Sequence, residues 1–89
     1  MLKIAELLSC GQHNAIGLKT LMNLTGLDSR TVRKMIEFER RAGSPILSDN
    51  TNGYYLPETP EEKDRCVHSL RHRAMEIART ADAIDRASL

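Results

Sequence analysis

Thr25-Gly26-Leu27-Asp28-Ser29-Arg30-Thr31-Val32-Arg33-Lys34-Met35-Ile36 is the stretch that decides how this chain folds. Gly26 can take the left-handed backbone conformation that other residues resist, so a tight turn is expected there. Asp28 or Ser29 is a good N-cap for a helix, because its side-chain oxygen can accept from the free amides of the next turn. Val32, Met35 and Ile36, with the stem of Glu39, then share one face of that helix. Ser29, Arg30, Arg33, Lys34 and Glu37 lie away from that face. Arg40 and Arg41 suit the negative end of the helix dipole, and Gly43 stops the helix. The spacing predicts a helix over about 28–41 with an apolar inner face and a cationic outer one.

Working outward to the N-terminal side, Leu18, Leu21 and Met22, with Leu24 on a flank, give a preceding helix of about two turns. Leu27 is the lone apolar residue of the intervening turn and is expected to plug the space between the two helices. Leu2, Ile4, Ala5, Leu7 and Leu8 combine three- and four-residue spacings, which predicts a short amphipathic helix ended by Gly11. Residues 12–17 are then a connector or a very short strand.

On the other side, Pro45 blocks continuation. Ile46-Leu47-Ser48 and Tyr54-Tyr55-Leu56 read as two short strands, and Asp49-Asn50-Thr51-Asn52-Gly53 between them is rich in turn formers. One tyrosine of the Tyr54–Tyr55 pair should face the core and the other solvent. Thr59-Pro60-Glu61-Glu62 is a helix start: Thr59 caps, Pro60 takes the first helical position, and Glu62 can reach back in a capping box. No Gly or Pro comes after it, so the last helix can run about 28 residues, or about 40 Å. Val67, Leu70, Ala74, Ile77, Ala81 and Ile84 fall at alternating three- and four-residue steps, a heptad seam. The helix either folds back over its own domain or pairs with a second copy along that seam, and the alternate alanines favour close pairing.

Two units are therefore expected: residues 1–57, and a C-terminal helix over 58–89. The fold class is mainly α with a small β-hairpin. A chain of 89 residues with 40% hydrophobic and 28% charged content is globular in composition. It is short enough to bury only about 60–65% of its unfolded surface, so dimerisation would add useful area. With one Phe, two Tyr and no Trp, its core must be aliphatic. Cys10 and Cys66 show no framework spacing and are read as reduced thiols in a cytoplasmic protein. No basic region followed by a long apolar run opens the chain, and no stretch is long enough to cross a membrane. The net charge is only +1, but cations outnumber acids in residues 1–43 and 65–89, while residues 44–64 are acidic. Local patches of this kind, rather than the total, govern electrostatic binding.

The order helix, short strand or connector, helix, Gly turn, helix, hairpin resembles a winged helix-turn-helix. Residues 25–36 look like the turn and recognition helix of bacterial winged-helix regulators. Arg41-Ala42-Gly43-Ser44-Pro45-Ile46 and Gly53-Tyr54-Tyr55-Leu56-Pro57 resemble the wing of the biotin-repressor-like N-terminal domain. The resemblance spans roughly residues 2–57. It implies that the helix after Gly26 enters the major groove of double-stranded DNA, which is wide enough for one helix. On the matching positions it implies DNA contacts from Ser29, Arg30, Thr31, Arg33 and Lys34, with Lys19 on the backbone from the preceding helix. The wing tip carries no Lys or Arg, and Asp49 would repel phosphate. The wing should therefore contribute little, or act through Asn50, Thr51 and Asn52 alone. Glu39 occupies a position that is commonly apolar in such helices. It is expected to pair with an arginine, or to yield its packing place to Phe38.

The function this implies is that of a small, non-enzymatic transcriptional regulator acting as a homodimer, with half-sites about one DNA turn apart. A winged-helix protein-interaction module and a phage or plasmid replication accessory factor use the same plan and stand as alternatives. His68 and His72 are spaced i,i+4, a geometry that can bind zinc, but the sequence places no third ligand. No phosphate-cradling loop, nucleophile elbow or carboxylate pair is visible, so no cofactor, metal or catalytic residue is assigned.

Overall fold

A computed structural model describes residues 2–89. After two 3₁₀ turns, Ile4–Leu7 and Gln12–Asn14, the chain forms α1 (Leu18–Thr25), α2 (Ser29–Arg41), β1 (Leu47–Asp49), β2 (Gly53–Tyr55) and α3 (Pro60–Arg86). The expected plan, mainly helical with one hairpin and a long last helix, is the plan observed.

The turn between α1 and α2 is dictated by its residues. Gly26 sits at φ 73°, and its amide closes α1 by donating to the Met22 carbonyl at 2.8 Å. Asp28 caps α2, accepting from the Thr31 amide at 2.8 Å. Leu21, Val32 and Ile36 then bury their side chains together with Ile4, Leu8 and Ile46, and Leu27, Met22 and Met35 pack around this core.

The first element departs from expectation. In place of an amphipathic helix over residues 2–8 there is a single 3₁₀ turn, after which Leu8 is already extended. The cause is tertiary. The next residues are drawn into the sheet: Leu56 donates to the Ser9 carbonyl at 2.9 Å, and Gly11 donates to the Leu56 carbonyl at 2.8 Å. A helix continued past Leu7 could not meet that pairing. Ile16 joins the same edge, exchanging two hydrogen bonds with Tyr54 at 2.9 and 2.8 Å. The expected very short strand in residues 12–17 is thus a single bridging residue beside β2.

The hairpin pairs Leu47 with Tyr55, Ser48 with Tyr54 and Asp49 with Gly53, so each strand sits one residue nearer the turn than the sequence suggests. Gly53 adopts φ 102°, and a Cβ there would strike the Ile16 carbonyl. The expectation of one solvent-facing tyrosine is corrected. Tyr54 packs on the main core, while Tyr55 is buried in a second cluster with Leu47 and Cys66. Both faces of the hairpin are covered, because α3 lies across the side the sequence left open.

Thr59 caps α3 by accepting from the Glu62 amide at 3.2 Å. Glu62 reaches back one residue further than a capping box requires. It accepts from the amides of Glu58 at 2.7 Å and Gln12 at 3.0 Å, so it ties α3 to the second 3₁₀ turn. Only the first turns of α3 touch the domain. Every residue from His68 onward is exposed, so the helix projects from its own domain.

Candidate nucleic-acid interface

On the helical wheel of α2 the buried residues Val32, Ile36 and Glu39 mark the inner side. Opposite them stand Arg30, Lys34 and Arg41, with Glu37 among them. Arg33 falls on the flank toward the hairpin. Thr31 and Phe38 fall on the other flank, where they line a groove with Leu2, Lys3 and Met35. Arg30, Thr31, Arg33 and Lys34 are exposed, as is Lys19 on α1, and Ser29 is half-buried. The structure therefore brings Arg30, Arg33 and Lys34 onto one solvent face and sets Thr31 at its far edge.

The acids of the same helix do not cancel this face. Glu37 pairs with Arg41 at 2.7 Å, one turn on. Glu39 is turned inward and accepts from the amides of Ile4 at 2.7 Å and Ala5 at 3.0 Å. Those two donors are the free N–H groups at the start of the first 3₁₀ turn, which has no side-chain cap of its own. The expected arginine partner of Glu39 is thus replaced by backbone amides. Phe38 does not take over its packing place and is 74% exposed. Among the described residues Arg30, Arg33 and Lys34 have no ion-pair partner.

Arg40 was legible only as a last-turn cation. Its Nε donates to the Ile46 carbonyl at 2.7 Å and its guanidinium to Ser48 Oγ at 3.0 Å. This clamp holds the hairpin against the end of α2. At the hairpin tip Asn50, Thr51 and Asn52 are exposed. The Asp49 carboxylate does not point freely outward. It accepts from the amides of Thr51 and Asn52 and from the side chains of Asn52 and Gln12. Burial works to raise its pKa, but these hydrogen bonds together outweigh burial and bring it down to about 2.

Arg73 is a residue that sequence reasoning passed over. It projects from α3 two turns beyond the buried Cys66, and it lines one groove of about 360 Å³ together with Arg33 and Asn50, Thr51 and Asn52. The signal in the sequence was the seven-residue step from Cys66 to Arg73, which places both on one side of a helix. Nothing local said that this side meets the hairpin.

The seam residues of α3 are also accounted for. Val67 is half-buried at the edge of the domain, whereas Leu70, Ala74, Ile77, Ala81 and Ile84 are exposed. Ile77 is 64% and Ile84 72% accessible. The option in which α3 folds back over its own core is therefore excluded. Among the described residues no three His, Cys, Asp or Glu side chains come together as a metal site, and no helix is long and apolar enough to cross a membrane. Cys66 is buried and Cys10 exposed, both as free thiols. No protein-family model, curated protein or solved structure matches this chain.

Proposed function

We propose that this chain is a winged helix-turn-helix module that binds double-stranded DNA through α2 and acts in the cytoplasm as a homodimeric, non-enzymatic regulator of transcription. The observation that carries the reading is the outer face of α2. Arg30, Arg33 and Lys34 stand exposed with no ion-pair partner among the described residues, and Arg33 lies toward the hairpin, while Glu37 is paired with Arg41 and Glu39 is turned inward. Such a face can donate to phosphate oxygens and guanine edges once the helix lies in the major groove. Lys19 and the tip residues Asn50, Thr51 and Asn52 would border the contact. The seam Val67, Leu70, Ala74, Ile77, Ala81 and Ile84 would join two copies.

The test is a mobility shift on mixed-sequence duplex DNA at low salt, followed by salt titration. Wild-type binding should weaken steeply with salt, with a log–log slope near −0.9 per phosphate neutralised. The double variant Arg33→Ala, Lys34→Ala should bind at least tenfold more weakly. Undiminished affinity in that variant would refute the assignment of α2 as the reading helix.

One observation favours a second reading, that of a protein-interaction module. Leu2, Met35 and the exposed Phe38 border an apolar groove of about 410 Å³ beside α2. This reading takes over if the purified protein shifts no duplex at low salt.

A further inference from the structure

We propose that Arg73 of α3 supplies the cation that the hairpin tip lacks, and grips a phosphodiester of the same duplex that α2 reads. The inference rests on the DNA-binding reading and adds to it a contact from outside the helix-turn-helix and hairpin.

The tip, Asp49 to Asn52, holds no Lys or Arg, so by its own residues it offers phosphate only amides and a hydroxyl. The fold corrects this deficit. Cys66 anchors α3 to the hairpin by packing on Leu47 and Tyr55, and the helix repeat then carries Arg73 past the tip on that same side. There it shares a groove with Arg33, which arrives from α2 forty positions earlier in the chain. Both arginines are exposed, and neither has an ion-pair partner among the described residues. Two unpaired cations beside one groove repel each other, and an anion seated between them converts that repulsion into attraction on both sides. The groove, at about 360 Å³, has room for a phosphate and its ester oxygens.

Asp49 is the one acid on this groove. Its oxygens are engaged by Gln12, Thr51 and Asn52, so it makes no ion pair with either arginine. Its charge offsets part of their field and leaves the groove a net cationic balance of two arginines against one carboxylate. Arg65 lines a neighbouring groove with Arg73, Ser48 and Asn50, and adds to the local cationic field. The donors set the ligand class. A guanidinium fork matches phosphate oxygens. Because Arg73 lies off the α2 face, its contact is to the backbone and independent of base sequence.

The experiment compares wild type with Arg73→Ala, Arg73→Lys and Arg86→Ala by salt titration on duplex DNA. Arg73→Ala should weaken binding several-fold on every duplex alike and make the log–log slope shallower by about 0.9. Arg73→Lys should restore the slope, and Arg86→Ala, at the far end of α3, should match wild type. Should Arg73→Ala keep both affinity and slope while Arg33→Ala loses them, Arg73 is no phosphate contact and the reading of α2 stands. A deficit that lysine does not rescue also overturns the proposal, since the side chain then acts through shape and not charge. If wild type itself binds no duplex, the DNA-binding reading falls first and this inference falls with it.

Discussion

Four carboxylates illustrate how little a residue's type says about its role. Glu37 balances Arg41 on the surface. Glu39 and Glu62 are buried and each caps a 3₁₀ turn from another part of the chain. Asp49 organises the hairpin tip. The direction of their shifts sets the pH behaviour. Asp49 is held down to about 2, and Glu62 is also lowered, first by the hydrogen bond from the Glu58 amide. A carboxyl depressed by folding contributes stability that is fully present above its unfolded value of about 4 and is lost as pH falls toward its folded value. Thermal melts of wild type and Asp49→Asn should therefore differ most above pH ~4 and converge as pH approaches ~2. A gap of constant size across that range would show that the charge of Asp49 is not what stabilises the tip.

At the scale of elements, α2 was readable because its signals are local. The Asp28 cap and the left-handed Gly26 act within one turn of the positions they control. The hairpin was readable for the same reason, though displaced by one residue, since periodicity alone does not say which pair closes first. The first element was not readable. Its apolar spacing is helical, but its backbone donors go to Glu39, 35 and 34 positions away, and its continuation pairs with Leu56. Glu39→Leu tests this account. Leucine would suit the apolar surroundings, yet it would leave the Ile4 and Ala5 amides without an acceptor. The variant should lose about 1–3 kcal/mol in urea unfolding, the cost of stranding buried donors. Equal or greater stability would mean that packing, not the carboxylate, fixes the turn.

At the scale of the whole molecule, the radius of gyration is 15.5 Å, against about 12 Å for a compact domain of this length. The excess is α3, 27 residues long and anchored only at its start. Most helical stability in proteins comes from packing an amphipathic face, and this helix exposes Leu70, Ile77 and Ile84 on one side. Pairing of two copies along that side would bury them. Ile77→Asp should then give monomers in sedimentation while the domain's own unfolding transition is kept, because residue 77 lies outside the core. Wild type sedimenting as a monomer at tens of micromolar would remove the dimer from the proposed function.

The amino-acid order alone determined where α1, α2, the hairpin and α3 lie, and that Arg30, Arg33 and Lys34 face outward. Caps, left-handed glycines and helical repeats act within a few residues, and that information is written in neighbouring positions. Only the tertiary structure decided that Glu39 and Glu62 cap distant turns, that Tyr54 and Tyr55 pack into two separate clusters, that Arg40 clamps the hairpin and that Arg73 lines the same groove as Arg33. Most of those outcomes depend on groups up to 50 positions apart, and Arg40, though it reaches only to Ser48, depends on how the hairpin folds against α2. A buried donor or charge takes whichever partner the packed chain brings near, and spacing along the sequence does not record that partner.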